Sequence, residues 1–236
     1  MAINEQVSFT WVGHGTWRVR SARGKQLLLD AWVMNNPVAP PYLKRIDELD
    51  LMLISHGHGD HIHDAIEIAN RTQPTIVGMP ELVGWLAAKG VPGAGDHGMN
   101  KGGTQEFDGI KITMVHAEHS CGILDGGVSI YAGEPCGYVI EFENGFKAYF
   151  AGDTDVFGDM ALIGELDRPD VAILPIGDHY TMGPRRAAKA VELLGVGTVL
   201  PMHFGTFPAL TGRPSQLQEL VGAGVRVLDI KPGETI

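Results

Sequence analysis

The alternation of apolar and polar residues divides the chain into predicted strands and helices. In the first third the period is two, which predicts an antiparallel meander over 7–12, 16–20 and 26–29. Beyond it, short apolar runs predict buried strands and longer amphipathic runs predict helices. These strands are predicted at 51–54, 75–77, 110–115, 138–142, 146–150, 171–174, 198–200 and 225–228, and the helices at 64–70, 81–89, 156–166, 184–194 and 215–221. This order predicts an α/β fold with helices packed outside the sheets.

Two connections interrupt this order. The segment 36–50 is rich in proline and then acidic, and we expect a short helix there that leads into the strand at 51–54. The segment 122–135 is punctuated by glycines. It predicts either a cover over a functional site or an edge hairpin packed on the core.

The length of the chain and its apolar content favour one domain. A chain of 236 residues fits a single domain over 1–236. The N-terminal residues lack the pattern of a signal peptide, and no apolar run approaches the roughly 20 residues of a membrane span. We therefore expect a cytoplasmic protein without a membrane segment, with Cys121 and Cys136 as free thiols.

The charge limits the partners. The formal net charge is −10 with neutral histidines. Binding to nucleic acid requires clustered Lys and Arg side chains, and here only Arg185, Arg186 and Lys189 form a short basic cluster. The composition therefore counts against a nucleic-acid partner, and we expect a small-molecule substrate.

The segment 55–64 carries four histidines directly after a predicted buried strand. His56 and His58 are two residues apart, so both imidazoles can turn to one side of an extended loop. Asp60 and His61 can face the same hollow from the start of the following helix. Imidazole nitrogen and carboxylate oxygen are zinc ligands, whereas structural zinc sites favour cysteine. A metal site is therefore predicted here, with a polar surface loop or a structural zinc as the alternatives.

Further histidines and aspartates follow the ends of other predicted strands. They are His14 in the first turn, Asp30, the pair His116 and His119, Asp153, and His203. Asp30 can orient a metal-bound histidine or cap its strand. Asp153 is expected between two metal ions, because a carboxylate can offer one oxygen to each. Asp155 is expected to cap the helix at 156–166.

A polar run precedes the helix predicted at 184–194. Asp178, His179 and Tyr180 can contact a substrate there or only brace the loop. Pro184 suits the first turn of a helix, and a helix N-terminus can bind an anionic group. His14 has a similar pair of interpretations, as a hydrogen-bonded turn residue or as a contact to substrate.

The motif His56-x-His58-x-Asp60-His61 resembles the signature of the metallo-β-lactamase-fold superfamily. Gly-Asp-Thr at 152–154 is similar to the pattern of that superfamily at the same step. The runs Trp-Val-Gly-His at 11–14 and Pro-Ile-Gly at 175–177 resemble the group of metal-dependent hydrolases near ascorbate-6-phosphate lactonase. The resemblance implies a four-layer αβ/βα sandwich, with two mixed sheets face to face and the site at one edge.

The resemblance also implies a complete set of metal ligands. His56, His58 and His119 would hold one ion, Asp60, His61 and His203 a second, and Asp153 would bridge them. His116 remains an alternative to His119, and Cys121 is either a packing residue or an extra soft ligand. Two divalent ions are expected, with zinc favoured and manganese, nickel or iron also compatible with these donors. The residues expected to act in catalysis are Asp60, His179 and His14.

The implied reaction is hydrolysis by a hydroxide shared between the two ions. A lactone or a phosphodiester is the first expectation, and a β-lactam or thioester is the alternative on the same centre. From other classes, an iron-dependent oxidoreductase similar to the sulfur dioxygenases and a non-catalytic metal-binding scaffold are the rival hypotheses. Association into a homo-oligomer is expected from the group.

Overall fold

A computed structural model describes residues 3–236. The first sheet contains five strands in chain order: β1 (Ser8–Gly13), β2 (Thr16–Arg20), β3 (Gln26–Leu29), β4 (Leu51–Leu53) and β5 (Thr75–Val77). The first three strands form the predicted antiparallel meander, and β3, β4 and β5 run parallel to one another. This sheet is mixed, and the carboxyl ends of β3 and β4 lie at the same edge.

The second sheet contains seven strands. They are β6 (Thr104–Phe107), β7 (Ile110–His116), β10 (Cys136–Glu141), β11 (Lys147–Phe150), β12 (Val171–Pro175), β13 (Thr198–Met202) and β14 (Arg226–Val227), in the spatial order β14-β13-β12-β11-β10-β7-β6. The half from β6 to β11 is antiparallel, and the half from β11 to β14 is parallel. A separate hairpin joins β8 (Gly122–Asp125) to β9 (Val128–Tyr131).

The core lies between the two sheets. The rings of Phe9 in β1 and Phe142 after β10 are in edge-to-face contact at 6.0 Å, and the Tyr138 hydroxyl of β10 donates to the Ile54 carbonyl after β4 at 2.7 Å. These contacts bury the facing sides of both sheets in one apolar cluster. That burial is the main source of stability, and it fixes the edge at which the strand ends meet.

Helices cover the outer faces, except for the first, a single turn after β4. They are α1 (Gly59–Ile62), α2 (Ala65–Thr72), α3 (Pro80–Ala88), α4 (Met160–Leu166), α5 (Pro184–Leu194) and α6 (Pro214–Leu220). Leu82 and Leu86 of α3 join the central cluster, whereas Ala187 and Val191 of α5 join a second cluster on the outer face of the seven-stranded sheet. Among residues 3–236, no helix has both the length and the apolar character needed to cross a membrane.

The prediction of a short acidic helix within 36–50 is wrong. Only Pro41–Leu43 forms a single 3-10 turn, and the chain is irregular from Lys44 to Asp50. Ile46 and Leu49 of this segment are buried. Their packing into the core holds the segment in an irregular path that a helix would not allow.

The prediction that Asp155 caps a helix beginning at 156 is also wrong. Helix α4 begins only at Met160. The Asp155 carboxylate instead accepts a hydrogen bond from Arg186 Nη1 at 2.6 Å and another from the Val156 N–H. Arg186 lies on α5, so this ion pair ties the loop after β11 to a neighbouring helix.

The glycine-punctuated segment forms a hairpin packed on the core. Ile123 is buried and lies against Gly57, whereas Leu124 and Tyr131 are largely exposed. Because Gly57 lies between two histidines of the predicted metal motif, the hairpin supports that loop from behind.

Candidate metal centre

Four strand ends bring seven predicted metal-binding side chains to one edge of the two sheets. His56, His58, Asp60 and His61 follow β4, His119 follows β7, Asp153 follows β11, and His203 follows β13. The first four sit in the β4 to α1 connection, where α1 starts at Gly59 and carries Asp60 and His61. The local fold therefore presents the motif from two directions, an extended loop and a helical turn.

The centre of the cluster is the Oδ2 atom of Asp153. It lies 3.0 Å from His203 Nε2, 3.3 Å from His61 Nε2, 3.7 Å from His119 Nε2 and 4.0 Å from His56 Nε2. One carboxylate oxygen thus faces four imidazole nitrogens from three different loops. The pKa of the Asp153 carboxyl is far below its usual value, because the charges of His203 and His61 outweigh the effect of its burial.

The donor set fits two divalent cations. One nitrogen or oxygen atom from each of His14, Asp60, His61 and His203 lies within 4.8 Å of the others, and the same holds for one nitrogen from each of His56, His58 and His119. Asp153 Oδ1 and His203 Nδ1 are buried without a hydrogen-bond partner, and the Nε2 atoms of His61 and His203 face only Asp153 Oδ2. Unpaired buried polar atoms are costly and need a partner. Metal ions would provide that partner.

Asp30 joins two of these histidines through hydrogen bonds. Its Oδ2 accepts from His61 Nδ1 at 2.6 Å and from the Ser55 hydroxyl at 2.8 Å, and its Oδ1 accepts from the Ser55 N–H at 2.7 Å. The Ser55 oxygen also contacts His56 Nδ1 at 2.9 Å. One fully buried carboxylate therefore orients a histidine in each of the two ligand groups.

His14 holds Asp60. Its Nε2 atom lies 2.9 Å from Asp60 Oδ2, and its Nδ1 atom lies 3.0 Å from the Thr206 hydroxyl. Burial lowers the pKa of His14 to about 4 despite the opposing effect of Asp60. The imidazole is therefore neutral near pH 7, donating to Asp60 from Nε2 and accepting from Thr206 at Nδ1.

The charges of the cluster favour a cation. Burial alone would lower the pKa of His61, but the carboxylates of Asp153 and Asp30 raise it well above the usual value. Asp60 is also ionised, because its hydrogen bond from His14 and the charge of His61 lower its pKa against the effect of burial. In the metal-free chain, a proton on His61 partly balances the negative charges of Asp153, Asp30 and Asp60. A divalent ion can take the place of that proton.

The comparisons with known proteins agree with this geometry. The family described as "Beta-lactamase superfamily domain" matches residues 25–204, which is most of the chain. The chain belongs to this superfamily. The predicted metallo-β-lactamase fold is thereby confirmed, including its two mixed sheets with helices.

Two relatives cover almost the whole chain. A metal-dependent hydrolase from Koribacter versatilis is 53% identical over 229 residues, with 97% of each chain covered. The solved structure of a metallo hydrolase from the archaeon Ignicoccus hospitalis superposes with a TM-score of 0.85 at 36% identity, over 98% of this chain and 97% of that one. These likenesses make the chain a metal-dependent hydrolase of the metallo-β-lactamase superfamily.

A more distant structure shows the fold alone. The isothiocyanate hydrolase from gut bacteria of Delia radicum has a TM-score of 0.72 at 20% identity, over 97% of this chain and 98% of that one.

The other predicted residues lie around the cluster or away from it. His116 is partly exposed, and its ring nitrogens contact Lys101 and Glu118, so the structure places His119 and not His116 at the site. The exposed His179 ring packs edge-on against Tyr180 at 4.4 Å and is not among the residues that line the site. A catalytic role for His179 stays a prediction.

Both cysteines are free and buried, as predicted. Burial raises the pKa of Cys121 to about 11 and that of Cys136 to about 12. The Cys121 thiol contacts the Ala132 carbonyl of the hairpin at 3.4 Å. These contacts support a packing role for Cys121.

The metal cluster forms the floor of a cavity of about 750 Å³. His58, Asp60, His119, Asp153 and His203 reach its surface, with Ser120 beside them. Tyr180, Phe207, Pro208 and Ala209 form the remaining wall. The last three could not be predicted from the sequence, because an apolar turn after a strand is common in loops that have no functional role.

Gly15 packs directly against a candidate ligand. A Cβ atom at this position would lie 2.5 Å from His61 Cε1, whereas one at Gly59 in α1 would meet nothing within 4 Å. We expect Gly15→Ala to displace the His61 ring and to weaken metal binding by about tenfold or more, as for other changes that disturb ligand orientation. Gly59→Ala is the matched control and should keep the wild-type affinity, measured by competition with a chromogenic chelator. Equal affinities of the two variants would contradict this packing argument.

Proposed function

We propose that this chain is a binuclear metal-dependent hydrolase that cleaves an ester-type bond, a lactone or a phosphodiester, in a small molecule. The observation that carries the proposal is the position of Asp153 Oδ2 within 4.0 Å of four imidazole nitrogens. Such an oxygen is suited to lie between two ions, and the unpaired buried nitrogens around it support the same reading. We propose zinc as the metal, with manganese, nickel and iron as the other ions that these donors accept.

Each side chain has a role that follows from its place. His56, His58 and His119 would hold one ion, Asp60, His61 and His203 the other, and Asp153 would bridge them. When bound, two such ions supply an activated water as nucleophile and polarise the oxygen of the scissile bond. Asp60 is held at Oδ2 by His14 Nε2, so its ionised carboxylate has a fixed direction and can accept a hydrogen bond that orients the reacting water.

The surroundings of the site agree with small-molecule chemistry. The cavity of about 750 Å³ has the size of a pocket for a small ligand. The net charge of −10 opposes binding of polyanions. Two buried free thiols are typical of a reducing compartment, which supports the proposal of a cytoplasmic enzyme.

Elemental analysis and chelation test this proposal together. Protein purified without added metal is expected to contain about two divalent ions per chain and to hydrolyse a lactone or a phosphodiester. Dialysis against a chelator should abolish hydrolysis, and added zinc or manganese should restore it. One iron per chain with oxygen uptake on thiol persulfides and no hydrolysis would instead favour the oxidoreductase hypothesis.

A further inference from the structure

We propose that the non-reacting part of the substrate is a neutral, apolar alkyl or aryl group that packs on Phe207, Pro208, Ala209 and Tyr180. This inference rests on the proposed hydrolase function and narrows its substrate class. The metal-binding residues at the floor of the cavity would hold the scissile bond, and the four wall residues would hold the rest of the substrate.

The wall is built from two loops that follow β12 and β13, neighbouring parallel strands whose carboxyl ends lie at the same edge of the second sheet. Phe207, Pro208 and Ala209 follow β13 and its histidine, whereas Tyr180 follows β12. The Phe207 ring lies 5.5 Å from His14 and 6.1 Å from Trp32 between ring centroids. It remains 38% exposed, so one side of the ring is fixed by packing and the other is open to a ligand.

The loop of Phe207 is closed on itself. The Gly205 N–H donates to the Leu210 carbonyl at 3.3 Å, and the Leu210 N–H donates to the Phe207 carbonyl at 3.0 Å. Gly205 has a φ of 71°, which glycine adopts without strain. This turn places the apolar wall four residues beyond His203, at a fixed distance from the metal cluster.

The loop of Tyr180 contains backbone strain. Asp178 and His179 have φ values of 68° and 61°, a conformation that is unfavourable for residues other than glycine. The Asp178 N–H donates to the Met182 carbonyl, and the Met182 N–H donates to the Thr154 carbonyl beside Asp153. Strain of this kind persists where the surrounding structure enforces it, and it is frequent at ligand sites. Its effect here is to hold the Tyr180 ring at the cavity.

The wall offers an anionic group no cationic partner. None of the described residues that line the cavity is Lys or Arg. Three arginines follow these loops along the chain: Arg186 of α5 is paired with Asp155 at 2.6 Å, Arg213 donates to the Leu210 and Gly212 carbonyls, and Arg185 of α5 is exposed outside the cavity lining. A charged group on this wall would therefore lose its hydration without gaining an ion pair.

The N-terminus of α5 is not available to an anion either. A Cβ atom on Gly183, the residue before α5, would lie 3.1 Å from Asp178 Cγ. A carboxylate of the chain itself thus faces the positive end of the helix dipole, and it would repel a second negative charge. This carboxylate favours a neutral group over an anionic one at this helix, where binding of an anion stays a prediction of the sequence.

Matched compounds of two bond types test the inference with the metal-loaded full chain. The first pair is a γ-lactone with a pentyl side chain and a γ-lactone whose side chain of similar length ends in a carboxylate. The second pair is p-nitrophenyl octyl phosphate and its analogue with a carboxylate at the end of the alkyl chain. We expect kcat/KM to be at least about tenfold higher for the apolar member of each pair that is hydrolysed, because the carboxylate gains no partner on the wall.

Variants test whether the wall residues cause the preference for apolar compounds. Phe207→Ala should lower kcat/KM for the pentyl lactone by about 10- to 100-fold, as expected for loss of a buried phenyl contact, while a methyl-substituted γ-lactone changes little. Leu166→Ala, which removes an exposed leucine on α4, is the matched control and should leave both values unchanged. Hydrolysis with equal or greater kcat/KM for the carboxylated compounds would overturn the inference but leave the hydrolase proposal standing. No turnover of any compound by protein with two bound ions would overturn the hydrolase proposal itself.

Discussion

Asp153→Ala is expected to bind fewer ions than the two that we propose for the wild type, and to lose hydrolysis at every metal concentration. The carboxylate lies between the two ligand groups, with one oxygen 3.0 Å from His203 Nε2 and 3.7 Å from His119 Nε2. Without it, four imidazoles face one another with no negative charge between them. We expect kcat to fall by at least about a thousandfold, which corresponds to about 4 kcal/mol of lost transition-state stabilisation.

The measurements are metal content by elemental analysis and steady-state hydrolysis over a range of added zinc. Asp155→Ala is the matched control, since Asp155 lies on the same loop but pairs with Arg186 on the surface. It should retain both ions and wild-type kcat. Full metal content together with near-wild-type activity in Asp153→Ala would show that Asp153 is not the bridging residue.

The local part of the site could be predicted from the sequence. His56, His58, Asp60 and His61 lie within six residues, so their grouping needs only a strand followed by a turn. Predicting the ligands that are distant in sequence needed two further inferences. The first is that strand ends share one edge, and the second is that Asp153 and His203 each follow a strand. The structure brings all of them together around Asp153 Oδ2.

The choice between His116 and His119 could not be made from spacing alone. His116 is the last residue of β7, and its side chain points toward Lys101. His119 lies three residues later in an irregular loop, and the path of that loop depends on tertiary contacts. Only the resemblance to a family favoured His119, and the structure places it in the cluster.

Other features could not be predicted from the sequence because they depend on packing. The strand Thr104–Phe107 was not predicted, since an edge strand with alternate exposed polar residues has little apolar signal. The hydrogen bonds that join Asp30 to Ser55 cross from β3 to the end of β4, and no periodicity in the sequence encodes them. The apolar wall around Phe207 depends in the same way on the packing of its loop against Trp32.

Asp30→Asn is expected to weaken both metal sites without removing a ligand. An amide in place of the carboxylate puts an N–H₂ group either toward the Ser55 N–H or toward the Nδ1–H of His61 and the Ser55 hydroxyl, so at least one of the three hydrogen bonds is lost. Loss of such orienting contacts typically costs 10- to 100-fold in metal affinity. The metal-free variant should also be less stable by about 3 kcal/mol, because a buried charged partner of His61 has been removed.

The response to added metal distinguishes this variant from Asp153→Ala. Asp30→Asn retains all seven candidate ligands, so excess zinc should restore most of its hydrolysis, whereas it should not restore that of Asp153→Ala. Ser55→Ala should have an intermediate affinity, since it breaks the link to His56 but leaves the contact between Asp30 and His61. Asp50→Asn is the matched control, because Asp50 also accepts a backbone N–H beside β4 but at the opposite end of that strand. If Asp30→Asn bound metal as tightly as Asp50→Asn, the buried carboxylate would serve the fold alone, and the orientation of His56 and His61 would come from the loop itself.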